Sequence, residues 1–290
     1  YWLFLGWRPG VKINKSKWKY HFNFGYKMTL SGLLDRIYNN AYNIIIGKFF
    51  APAQVGFFTQ AETMRLFPVG QIGSVIGKVT YPLFSNIKTD AELKNAYKKT
   101  MKLVLSIVIP MMLILILVAE DFFLLLFGEK WLPAVPYFQI LSIASIVRPI
   151  SSYNLNILKV KGRSDLFLKV EVIKKIFGVI AIAIALPFGI MAMVVSLTVV
   201  SYIMVLTNMT ASGRLINYNV LKQIKDISML YVLGVFIGLG IYFLLPMFKT
   251  DTNFLNILSV AVLFLAVYFV ALLLFEKTLV KTALSLLKKQ

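Results

Sequence analysis

Two long apolar runs between Tyr26 and Pro82 are interrupted by side chains that could bind, pair or move charge. The first run carries Asp35, Arg36, Asn39, Asn40 and Asn43, and the second carries Glu62 and Arg65. On a helix, residues four apart share a face. Asp35 therefore stacks over Asn39 and Asn43, and Arg36 over Asn40, with Tyr38 and Tyr42 between them. The spacing predicts one broad face of amides and phenols, suited to sugar hydroxyls or water and equally to interhelical hydrogen bonds. Glu62 and Arg65, at i and i+3, either neutralise each other or form a gated pair in a solvated cavity. Arg148 stands in Ile146-Val147-Arg148-Pro149-Ile150 with no acid nearby. It is the best candidate for an anion contact; the alternative is a partner for Asp35 or Glu62. A charge in a bilayer core costs several kcal/mol, so such residues face a protein interior or a water-filled path. Arg36, Arg65, Lys78 and Arg148 against Asp35 and Glu62 leave an excess of positive charge, which favours an anionic passenger.

The elements that must position these residues are membrane helices. Of 290 residues, 59% are hydrophobic, above the ~45–50% of soluble domains, and the mean hydropathy is +0.77. The excess lies in runs near the ~20 residues that a spanning helix needs. Eight spans are expected, at about 24–49, 55–84, 100–119, 134–158, 166–186, 190–211, 227–248 and 254–276. The opening, Tyr1 to Trp7, is too short to span and reads as the tail of a preceding helix, so the chain is expected to be the later part of a longer one.

The basic residues are distributed unevenly. They crowd into 8–27, 88–102, 159–175, 214–225 and 277–289, whereas the intervening connections hold Lys48, Lys130 and Lys249. The positive-inside rule places the first set in the cytoplasm. Because 159–175 and 214–225 then lie on one side, 176–206 must cross twice, turning at Leu186-Pro187-Phe188-Gly189. The net charge of +19 is thus a rim facing anionic lipid headgroups, not a nucleic-acid surface. The segment 120–133 reads as a short interfacial stretch with Trp131 at headgroup level. Pro68 and Pro110 are expected to kink their spans, and Gly73-x-x-x-Gly77 and Gly234-x-x-x-Gly238 to allow close helix packing.

Enzymatic readings find little support. The single histidine, His21, has no nucleophile or carboxylate pattern around it, and there is no cysteine and no G-x-x-x-x-G-K-[ST] phosphate loop. No catalytic residue, metal site or cofactor is expected. No soluble lobe is long enough for a glycosyltransferase, and no outer connection is long enough for a membrane glycan polymerase.

Several short motifs occur in a telling order: Val79-Thr80-Tyr81-Pro82-Leu83-Phe84-Ser85, Leu93-x-x-Ala96-Tyr97, Ile109-Pro110, Leu126-Phe127-Gly128-Glu129-Lys130-Trp131, Leu158-Lys159-Val160-Lys161-Gly162-Arg163 and Phe188-Gly189-Ile190. Together they resemble the polysaccharide transporter branch of the multidrug/oligosaccharidyl-lipid/polysaccharide exporter superfamily, the Wzx-like flippases. The resemblance implies an all-α, polytopic transmembrane helix bundle: the second six-helix lobe of a MATE-like flippase fold, plus two additional C-terminal helices. It divides the chain into the helix tail 1–7, a basic cytoplasmic interlobe segment 8–25, the lobe 26–213, a cytoplasmic loop 214–225, and a transmembrane hairpin with a basic tail, 226–290. It implies flipping of an undecaprenyl-diphosphate-linked oligosaccharide across the bacterial inner membrane for surface polysaccharide or O-antigen synthesis, with the C-terminus cytoplasmic. Cavity cations would hold the anionic headgroup, and Arg36, Arg65 and Arg148 are the candidates. The expected partners are the lipid-linked oligosaccharide, membrane lipids and an N-terminal lobe. A cation-coupled exporter of small molecules with the same fold is the alternative; such exporters favour acid-lined cavities, whereas this lobe has a basic excess.

Overall fold

A computed structural model describes residues 14–248 and 250–287. The expected helix tail 1–7, the start of the segment 8–25 and Lys249 lie outside the described residues, which form eleven α-helices and no strand.

Helix α1 (Lys15–Phe49) has 35 residues and is about 52 Å long at 1.5 Å per residue. The Asn14 side-chain oxygen caps it, accepting from the Ser16 and Lys17 amides at 3.1 Å. Residues 15–25, expected to be an interlobe segment, are thus the first turns of the same rod that carries Asp35. Pro52 ends the extended link after Phe49 and opens α2 (Pro52–Ser85), where a missing N–H costs nothing. Thr89 caps α3 (Asp90–Leu117), with Asp90 and Glu92 in its first turn, favourable against the helix dipole. Then follow α4 (Ala119–Phe127), a 3-10 helix over Glu129–Ala134, α5 (Val135–Ile146), α6 (Arg148–Val160), α7 (Ser164–Ala185), α8 (Ile190–Gly213), α9 (Val220–Phe248), α10 (Asn253–Phe275) and α11 (Lys277–Leu287).

Five stretches are long and apolar enough to cross a membrane: Asp90–Leu117, Glu129–Val160, Ile190–Gly213, Val220–Met247 and Asn253–Phe275. The remaining long helices, α1, α2 and α7, are the ones that carry the interrupting charges. Helix α1 lies along α7, α7 packs on α8, and α8 on both α5 and α6. Helix α2 completes this group against α5 and α6, while α3 bridges it to α9 and α10. One core gathers Tyr97, Met101, Leu105, Ile109, Tyr153 and Phe264 around α3. A second gathers Phe58, Phe123, Phe138 and Met193 where α2, α4, α5 and α8 meet.

The connections grouped by the charge count lie together in space. Lys102 pairs with Glu276 at 2.6 Å, Lys98 with Asp226 at 2.6 Å, and Lys161 with Asp90. At the other end, Asn256 donates to Asp121 at 2.9 Å, and Trp131 meets the ring of Phe57 edge-on at 6.0 Å.

The two expected proline kinks are absent as breaks: α2 runs through Pro68 and α3 through Pro110. The break falls instead at Val147, where α5 stops and α6 restarts with Pro149 in its first turn. A proline deprives the carbonyl four residues earlier of its donor, and in a membrane neighbouring hydroxyls must make up such losses. Here they do. Thr198 donates to Ile140 O at 3.1 Å, Tyr202 to Ile143 O at 3.3 Å, and Tyr231 to Ile146 O at 3.4 Å.

The expected close approach at Gly234 is present, since a Cβ there would lie 2.6 Å from Ile109 Cγ2; a Cβ on Gly73 would meet nothing within 4 Å. The tightest constraint on α1 is at Gly178 of α7, where a Cβ would run into the Tyr38 hydroxyl and stand 2.6 Å from its Cζ. Overpacking of this kind costs roughly 1–3 kcal/mol. Gly178→Ala should therefore lower the melting temperature of the purified protein, and adding Tyr38→Ala should recover part of the loss. Unchanged melting in the single variant would contradict this packing.

Candidate functional site

The break in α5–α6 opens one wall of a cavity of about 540 Å³. Helix α1 contributes Asp35, Tyr38, Asn39, Tyr42 and Asn43; α2 contributes Glu62 and Arg65; α6 contributes Arg148, Ser151 and Ser152; α7 contributes Lys174 and Lys175; and α8 contributes Ser201 and Asn208. Residues distant in sequence are brought together here because α1 docks on α7 while α2 docks on α5 and α6.

Both carboxylates are already paired. Asp35 binds the Lys175 ammonium and accepts from Asn39 Nδ2 at 3.2 Å. Lys175 also sits 4.7 Å from the centre of the Tyr38 ring, a cation–π contact, and 3.9 Å from Glu171. Glu62 receives two parallel bonds from Arg65, through Nε and Nη2, each 2.7 Å. This is the two-pronged geometry in which guanidinium and carboxylate fit best. The third arm, Nη1, reaches Ser145 Oγ at 3.1 Å and so ties α2 to the last turn of α5. Of the two readings left open for Glu62–Arg65, the neutralised pair is the one observed, although it stands in the cavity wall.

Arg148 differs. It occupies the first position of α6, its side chain is exposed, and its guanidinium makes no hydrogen bond or ion pair with the described residues. Arg65, Arg148, Lys174 and Lys175 against Asp35 and Glu62 leave a net charge of +2 on the lining.

Of the candidates named from sequence, Asp35, Asn39, Asn43, Glu62, Arg65 and Arg148 line this cavity, whereas Arg36 and Asn40 do not. The single broad face expected on α1 is in fact divided. Successive helical residues turn about 100°, and seating Tyr38 against Gly178 points Asp35, Asn39 and Tyr42 inward. Arg36 and Asn40 are carried round to the exposed side with Leu33, Ile37 and Ile44. Lys78, exposed on α2, is likewise outside the lining. Two cations were missed: Lys174 and Lys175 were assigned to the basic connection 159–175, but α7 begins at Ser164 and both lie well inside it. The signal that could have placed them is Glu171, one turn earlier, which pairs with both.

A half-exposed carboxylate paired with a buried ammonium should be coupled by about 1–2 kcal/mol, between the surface value of under ~1 and the 3–5 kcal/mol for breaking a fully buried pair. In a double-mutant cycle on Asp35→Asn and Lys175→Met, read by thermal unfolding, the double variant should be less destabilised than the sum of the singles. Strict additivity would show that the pair holds nothing.

Comparisons with known proteins agree with this architecture. Residues 1–136 match the family model described as "Polysaccharide biosynthesis protein". The teichuronic acid biosynthesis protein TuaB of Bacillus subtilis is 30% identical over 161 residues, 55% of this chain and 33% of that protein. The lipopolysaccharide biosynthesis protein WzxC of Escherichia coli is 25% identical over 216 residues, 71% of this chain and 44% of that one. The chain thus spans about a third to under half the length of these relatives. Among solved structures, the lipid II flippase MurJ in an inward closed conformation superposes with a TM-score of 0.73 over 93% of this chain and 57% of its own, at 15% identity, which shows a common fold. Family model, relatives and fold converge, and the chain belongs to the polysaccharide transporter family that its motifs resemble.

Proposed function

We propose that this chain is the second lobe of an alternating-access transporter that moves an anionic, lipid-linked oligosaccharide across the bacterial inner membrane, and that it is not an enzyme. The observation that supports this most is Arg148: an uncompensated guanidinium, at the mid-span break of a discontinuous helix, on a cavity of net positive charge. Broken helices near the bilayer midplane are where transporters of several folds hold charged substrates. The names of TuaB and WzxC connect those relatives to acidic and lipid-borne surface glycans, and MurJ carries the fold of a lipid flippase.

In this reading the cavity receives the anionic headgroup, the lipid tail remains in the bilayer, and rocking against a first lobe re-exposes the cavity to the other side. The end where the basic connections gather, with the C-terminus, faces the cytoplasm. Asp35 and Glu62 are the acids in the cavity, so a coupling proton or sodium ion would act by releasing Lys175 or Arg65. The exporter of cationic small molecules finds less support, because neither carboxylate is left free to receive such a cargo.

Losing a charge-assisted hydrogen bond costs about 1.5–3 kcal/mol, or roughly ten- to a hundredfold in affinity. In a strain relying on the full-length protein, Arg148→Ala should therefore reduce surface glycan at least tenfold with normal membrane insertion, and Arg148→Lys should restore part of it. Wild-type glycan levels in Arg148→Ala would contradict the proposal.

A further inference from the structure

We infer that Tyr42 and Asn208, together with Arg148, form a subsite for an acidic sugar of the carried glycan; this rests on the anionic-glycan reading above. Two polar atoms in the cavity wall carry the argument. Tyr42, on α1, is 6% exposed and Asn208, on α8, is 4% exposed. The Tyr42 hydroxyl and the Asn208 side-chain oxygen have no hydrogen-bond partner among the described residues. Buried polar atoms are almost always paired in native structures, so two orphans on one cavity point to a partner that the protein itself does not supply.

The chemistry of the three groups narrows that partner. Guanidinium is a donor only, and its fork matches a carboxylate or a phosphate. The amide oxygen of Asn208 accepts only, and so requires an O–H or N–H donor. The Tyr42 hydroxyl can do either. An ionised diphosphate satisfies Arg148 but has no proton to give Asn208. A neutral sugar satisfies Asn208 and Tyr42 but leaves Arg148 bare. A sugar bearing both a carboxylate and hydroxyl or acetamido groups satisfies all three. The cavity of about 540 Å³ falls within the ~300–1,000 Å³ of small-molecule sites, and its acids are already held by Lys175 and Arg65, so they do not compete for Arg148. Tyr42 and Asn208 thus select the sugar, while Arg148 answers to any anion.

The test uses purified full-length protein and calorimetric titration with three probes: a glucuronic-acid-containing disaccharide, the same disaccharide with its carboxyl reduced to an alcohol, and inorganic pyrophosphate. Tyr42→Phe and Asn208→Ala should each weaken the acidic disaccharide about three- to tenfold and leave pyrophosphate unchanged. Arg148→Ala should weaken both, and the reduced disaccharide should bind the wild type at least tenfold more weakly than the acid. Tyr42→Phe retains the ring that packs 6.0 Å from Phe58, so it separates loss of the hydroxyl from misfolding. The inference is overturned if the wild type does not bind the acidic disaccharide, if both variants bind it normally, if the acid and its reduced form bind alike, or if pyrophosphate binding falls in step. An export defect in Arg148→Ala alongside any of these would overturn the subsite alone, while intact export there would remove the reading beneath it.

Discussion

Charge inside an apolar bundle must be paired, and the pairing at Asp35–Lys175 and Glu62–Arg65 governs the rest of this molecule. Each pair joins or braces helices that carry the site. Lys175 holds α1 on α7, and Arg65 reaches past Glu62 to Ser145 beside the helix break. Neutralising both acids internally has a second consequence. It leaves the cationic surplus of the cavity concentrated at Arg148, which has no such partner, and at Lys174, which lies 3.8 Å from Glu171. The same arrangement that lets these polar helices sit among apolar ones thus gives the cavity its sign.

The break at Val147 supplies the geometry. An unbroken helix would bury the face that carries Arg148 against α8 and α2. Starting α6 afresh turns Arg148, Ser151 and Ser152 toward the cavity, and hydroxyls from Thr198, Tyr202 and Tyr231 receive the carbonyls beside the break. The bundle on the α3 side is stiffened separately, by a buried bond between Tyr97 and Gln223 at 3.1 Å and by the pairs that Lys98 and Lys102 make with Asp226 and Glu276. The polar wall formed by α1 and α7 therefore stands on a well-packed apolar support.

Much of this was legible in the sequence because hydropathy and charge are read off it directly. The helix count, the turn at Pro187–Gly189 and the gathering of alternate connections at one end follow from apolar run length and the placement of Lys and Arg. The cavity candidates Asp35, Glu62, Arg65 and Arg148 stood out because a charge in an apolar run is costly. What periodicity on one helix could not supply was its rotation against a neighbour: Arg36 and Asn40 were grouped with Asp35, and only Tyr38 seated at Gly178 separates them. Lys174 and Lys175 were lost to the loop because positive residues near a helix end read as a rim. Pro68 and Pro110 look on paper just like Pro149, yet only Pro149 coincides with a break.

The central claim is that the cavity is electropositive because Arg148 is unpaired there. The chain contains no native cysteine, so a single Ser151→Cys reporter can be placed in the wall beside it. The decisive measurement is the ratio of its modification rates by an anionic and a cationic methanethiosulfonate, with and without Arg148→Ala. The account predicts faster reaction with the anionic reagent and collapse of that preference when Arg148 is removed, with Asn40→Cys on the outer face showing neither effect. A preference for the cationic reagent, or a ratio unmoved by Arg148→Ala, would contradict it.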